Sequence, residues 1–147
     1  MVAENVSAAS MLETESYVNI AGYRFIDLPD RDELRAPLLE CCLELGLKGT
    51  VLLSQNGINF FLAGTQDSID NYVAYLEKDE RFQDISLHIS YSEYQPFKRM
   101  LVRLKNEIIS LGMDEIRPGD RTGQYIQPKE FKEWLDEGKE VMVLDTR

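Results

Sequence analysis

The residues best suited to chemistry lie in one stretch. Between positions 98 and 105, Lys98, Arg99, Arg103 and Lys105 bring four positive charges with no acid among them, although the 147-residue chain carries a net charge of −10. On an extended backbone, alternation puts Arg99, Arg103 and Lys105 on one face and Met100, Val102 and Leu104 on the other. Cations gathered on one face of an acidic body leave a polyanion a single favourable approach, which orients it on encounter. Lys and Arg also protect exposed edge strands from aggregation, and the residues alone leave both readings open.

The other candidates are weaker. The run Gln55-Asn56-Gly57-Ile58-Asn59 offers the amides of Asn56 and Asn59, with turn N–H groups, to an anion or a base edge. An Asn-Gly pair is more often what a tight turn with positive φ requires. His88, the one histidine, has no Asp, Ser or Cys partner close in sequence and reads as solvated or hydrogen-bonded rather than as a general base. Cys41 and Cys42 are neighbours on a helical stripe, where side chains diverge from disulfide geometry and read as core rather than as nucleophiles. No catalytic constellation and no metal-ligand spacing emerge, and no cofactor is expected in this chain. No window approaches the roughly 20 apolar residues of a membrane span. Residues 1–16 contain Glu4, Glu13 and Glu15 without Lys or Arg, the wrong chemistry for a signal peptide, so a flexible tail and a cytoplasmic location are expected.

The elements that must position these residues centre on Lys48 to Gly64. Two apolar runs, Gly49 to Leu53 and Ile58 to Ala63, flank Ser54-Gln55-Asn56-Gly57, and an Asn-Gly pair so placed is a strong hairpin signal. A first strand is expected from Tyr17 to Leu28. A helix follows, opened by Asp30 or Asp32, with Asp30 and Glu33 in capping-box spacing, an apolar stripe of Leu34, Leu38, Cys41, Cys42 and Leu45, and a stop at Gly46. Pro37 either delays or bends that helix. After the hairpin, Thr65 caps a second helix with Ile69, Tyr72, Val73 and Leu76 inward. Ser86 to Tyr91 alternates as a half-buried strand with Leu87, Ile89 and Tyr91 on one face.

This β-α-β-β-α-β order predicts an α+β, ferredoxin-like sandwich with both helices on one side of an antiparallel sheet. Arg99 to Ser110 adds an extra strand, with Ile108 on its apolar side. Residues 113–127 have linker composition. Pro128 then opens a short helix with Phe131, Trp134 and Leu135 inward, and Val141 to Leu144 reads as a strand whose partners are expected beyond Arg147, the alternative being that it adds to the edge of the first sheet.

Acylphosphatase shares this element order. That family has a catalytic Asn on its second strand, where this chain reads Thr50-Val51-Leu52-Leu53, and a Gly/Arg anion loop after its first strand, where this chain reads Asp27-Leu28-Pro29-Asp30. Two acids oppose phosphate binding, so acyl-phosphate hydrolysis is rejected.

Three segments together, Leu47 to Gly64, Pro96 to Gly112 and Gly123 to Arg147, resemble the bacterial family of rhodanese-containing tRNA uridine hydroxylases. The resemblance implies a tail over 1–16, an acylphosphatase-like domain over 17–112, a linker over 113–127 and the truncated start of a rhodanese domain over 128–147. It implies a parent enzyme that hydroxylates the wobble uridine of tRNA to 5-hydroxyuridine, using oxygen. The essential cysteine would lie in a downstream rhodanese loop, leaving this fragment without activity of its own. The N-terminal domain would help to hold tRNA through Lys98, Arg99, Arg103 and Lys105. The competing class is a protein-interaction or dimerisation module with the same fold.

Overall fold

The computed structural model describes residues 16–108 and 123–145. At its centre is the hairpin of β2 (Lys48–Ser54) and β3 (Gly57–Gly64), joined by Gln55-Asn56 alone. Gly57 takes φ +151°, and a Cβ there would lie 2.2 Å from the Arg24 carbonyl oxygen. The glycine is therefore required both by its own backbone and by the close approach of the neighbouring strand. Ile26 and Leu28 donate their N–H groups to the turn carbonyls of Asn56 and Gln55 at 3.1 and 2.8 Å, tying the turn to the chain that leaves the first strand.

Around this hairpin lie β1 (Tyr17–Phe25), α1 (Arg31–Glu44), α2 (Gln66–Glu77), a 3-10 turn (Glu80–Phe82), β4 (Leu87–Ser92), β5 (Met100–Leu104) and α3 (Pro128–Asp136). The sheet order is β4-β1-β3-β2-β5, antiparallel except for the parallel pair of β2 and β5. Alternation sends Val18, Ile20, Val51, Leu53, Ile58, Phe60, Leu62 and Val102 to one face, where Leu38 and Cys42 of α1 and Ile69, Tyr72 and Leu76 of α2 close a single core. This is the expected α+β, ferredoxin-like sandwich with one added strand.

Local signals explain both helices. Thr65 Oγ1 accepts the N–H of Ser68 at 3.2 Å at the start of α2. α1 ends in a Schellman turn: Gly46 has φ +66°, its N–H donates to Leu43 and that of Leu47 to Cys42. The helix runs unbroken through Pro37 from Arg31, so the proline does not delay its start. Along the outer edge of the sheet, Arg35 Nε of α1 donates to the carbonyl of Val102 at 3.2 Å, and Arg31 bonds the carbonyl of Lys105.

Several expectations are corrected. Asp30 stands at the N-cap of α1 but makes no side-chain cap bond, because its carboxylate is taken by Arg81, a charged partner stronger than a backbone N–H. β5 is shorter than the expected Arg99 to Ser110, and 109–110 lie outside the described residues. On β4, Ile89 and Tyr91 point toward the helix side yet are 56% and 67% exposed, since α2 leaves an open groove beside this edge strand. α3 buries none of its residues, so Phe131, Trp134 and Leu135 are not inward. Val141 to Leu144 forms no strand and is exposed, with no described strand to share a ladder. The expected tail lies almost wholly outside the described residues, as does most of the expected linker.

Candidate nucleic-acid interface

β5 positions the basic residues through its ladder with β2. Gly49 N–H donates to the Arg99 carbonyl at 3.0 Å and Lys105 N–H to that of Leu53 at 2.8 Å. The pairing thus extends beyond both ends of β5, and strand alternation holds from 99 to 105. Val102 is buried, and Met100 and Leu104 pack against the core. Arg99, Arg103 and Lys105 therefore share the face away from the helices, and all three are exposed. Lys98 is exposed just ahead of this ladder. Among the described residues none of the four enters an ion pair; the pairs are Arg31–Asp32, Arg81 with Asp30 and Asp79, Lys132–Asp136 and Lys139–Glu137.

Register identifies what else lies on that open face. Arg103 is beside Leu52, which pairs with Asn59, which pairs with Tyr23. In the next row, Leu101, Thr50, Phe61, Ala21 and His88 follow one another across all five strands. Lys48 pairs with Ala63 one row further, at the end of the sheet where Arg99 lies. Lys48, Tyr23 and Phe61 were not singled out from sequence. Lys48 shares its parity with Thr50 and Leu52, a signal that becomes readable only once β2 is known to neighbour β5.

The two candidate amides separate. Asn56 is engaged within the turn, its Oδ1 accepting the Ser54 hydroxyl and its N–H donating to Ser54 Oγ. Asn59 is not in the turn at all but midway along β3, half-buried on the open face. No side-chain hydrogen bond involves it among the described residues. His88 is exposed on β4.

The thiols are not placed for catalysis. Cys42 is fully buried, and burial pushes its thiol up to about 12. Cys41 is half-buried and also raised, by burial first and then by Glu44. Neither is a thiolate near neutrality. Among the described residues no cluster of His, Cys, Asp and Glu suits a metal ion, and no helix is long and apolar enough to cross a membrane.

Comparison with known proteins agrees with this architecture. A tRNA uridine(34) hydroxylase of Cupriavidus taiwanensis is 49% identical over 135 residues, covering 88% of this chain and 48% of the relative. One from Thiobacillus denitrificans is 47% identical over 137 residues, covering 90% and 55%. The chain thus spans about half the length of the curated relatives it matches. Among solved structures, the BLUF domain of BlrP1 aligns with TM-score 0.51 at 23% identity, covering 63% of this chain and 65% of that one, a likeness of fold alone. The profile of the UPF0176 acylphosphatase like domain matches residues 17–108, and the chain belongs to that family.

Proposed function

We propose that this chain is the tRNA-holding part of an oxygen-dependent, cytoplasmic tRNA wobble-uridine hydroxylase, with the reacting thiolate supplied by a downstream rhodanese-type domain. The names of the relatives support the reaction and its substrate. The observation that carries the binding role is the row of Arg99, Arg103 and Lys105 along one exposed sheet face, with no carboxylate paired to them among the described residues. The raised thiols of half-buried Cys41 and buried Cys42 support placing the nucleophile elsewhere.

Titration with tRNA at two salt concentrations tests this. Phosphate contacts release counterions, so affinity falls steeply with salt, and Arg99→Glu with Arg103→Glu lowers the slope of log K against log salt by roughly 1–2. Absence of tRNA binding at low salt, or indifference to the reversals, removes the proposal.

A second reading, a dimerisation module, is favoured by the exposed Ile89 and Tyr91 on edge strand β4. Light scattering on the parent and on Ile89→Lys decides it: a dimer in the parent that is lost in the variant supports that reading.

A further inference from the structure

Two large aromatic side chains lie where solvent, not core, receives them. Tyr23 on β1 is 56% exposed and Phe61 on β3 is 51% exposed. These are the two strands on either side of the middle of the β4-β1-β3-β2 array. Tyr23 is directly opposite Asn59, and Phe61 is two residues further along β3, opposite Ala21. The rings are therefore diagonal neighbours on one face, within the roughly 7–8 Å reach of such pairs. Tyr23 is further held by an edge contact with Phe25, ring centroids 5.7 Å apart. Small Ala21 lies opposite Phe61 across the β1–β3 ladder and does not cover its ring.

Solvent-facing aromatics on a sheet of this order normally cost solubility, and here they are bordered by cations. The cations lie on the β2–β5 side of the rings, Lys48 and Arg99 at one end and Arg103 in the row of Tyr23, two strands from Asn59. An apolar partner protein would gain nothing from the cations along the β2–β5 side of the rings. An unpaired nucleotide would gain from rings and cations alike, its base stacking on a ring and its phosphates meeting the cations beside it. Asn59, between the rings and the cations, has a free amide that can donate to and accept from a base edge.

We infer that the open sheet face is a stacking platform for unpaired RNA bases, with Tyr23 and Phe61 as its rings and Lys48, Arg99 and Arg103 as its phosphate contacts. The inference rests on the tRNA-holding reading and specifies which part of an RNA this face takes: single-stranded nucleotides rather than helix.

The experiment titrates the full chain with an oligouridylate and with a blunt RNA duplex of equal phosphate count, at fixed salt. The variants are Phe61→Leu, Tyr23→Leu and Phe61→Tyr, each checked for unchanged thermal unfolding. The parent is expected to prefer the single strand. Each leucine variant should weaken oligouridylate binding about tenfold without altering its salt slope or duplex binding, and Phe61→Tyr, which keeps a ring, should bind like the parent. Equal oligouridylate affinity in both leucine variants and the parent overturns the platform while leaving the basic strand in place, as does a preference for duplex. Absence of binding to either RNA at low salt overturns the tRNA reading and the platform together. A dimer dissolved by Phe61→Leu, with RNA affinity unchanged, gives the face to a second copy of the chain and also overturns the platform.

Discussion

The Arg81 guanidinium grips the Asp30 carboxylate with two parallel hydrogen bonds, Nη1 to Oδ1 at 2.6 Å and Nη2 to Oδ2 at 2.9 Å, between residues 51 apart in sequence. The same group bonds Asp79, Nη2 to Oδ2 at 2.6 Å. One cation thus joins the start of α1 to the turn after α2. Hydrogen bonding to Arg81, opposed by partial burial, holds both carboxyls below the usual carboxylate range.

Arg81→Met is expected to lower stability by about 1 kcal/mol at neutral pH, a small value because all three groups are about one-third exposed. The folded pKa values lie below the unfolded ones, so the contribution is complete above about pH 4 and declines as pH falls through the lowered values. Urea unfolding of parent and variant should show a gap that narrows in acid. A gap that widens there would contradict the assignment.

Tyr72 is fully buried against Phe60, ring centroids 5.5 Å apart, and its hydroxyl has no hydrogen-bond partner among the described residues. Burial pushes that phenol well above its ordinary range. Removing an unsatisfied buried hydroxyl restores no lost bond, so Tyr72→Phe should be neutral or stabilising by about 1 kcal/mol. Tyr72→Ala should cost about 3–5 kcal/mol by opening a cavity. Thermal unfolding of the two variants separates ring from hydroxyl.

The thiols should report folding. With Cys42 fully buried and raised to about 12, an aromatic disulfide reagent at neutral pH should modify the half-buried Cys41 slowly and leave Cys42 intact until denaturant is added. Peptide mapping after a timed reaction distinguishes the two. Rapid modification of Cys42 in the native chain would contradict its placement.

Gly57→Ala should be among the costly single-methyl changes in this chain. The added carbon would meet the Arg24 carbonyl at 2.2 Å in a backbone conformation that disfavours a side chain. A loss of about 1–3 kcal/mol is expected in equilibrium unfolding, whereas Gly138→Ala, with nothing within 4 Å, should suffer backbone strain alone.

What was readable in the sequence was local. The Asn-Gly hairpin, the Thr65 cap, the buried Ile69, Tyr72 and Leu76 of α2 and the stop at Gly46 each depend on residues a few positions apart and are found where expected, although Val73, expected on the same face, is only half-buried. Alternation likewise places Arg99, Arg103 and Lys105 together. What escaped depends on register and on distant partners. Asp30 has the spacing of a cap, but Arg81 outcompetes the backbone for it. Tyr23 and Phe61 are far apart in the chain and meet on one face only through the β1–β3 pairing. Val141 to Leu144 has strand composition, yet composition cannot supply the neighbouring ladder a strand requires.

The hydrogen bond from Arg35 to the Val102 carbonyl has a consequence for self-association. Val102 turns its backbone groups away from β2, so α1 occupies an acceptor that an incoming strand would need. The opposite margin, β4, is the other edge open to strand addition. Two copies meeting there would be related by a twofold axis and would leave α1-guarded margins outermost. Such a pairing through a single margin closes on itself after two chains.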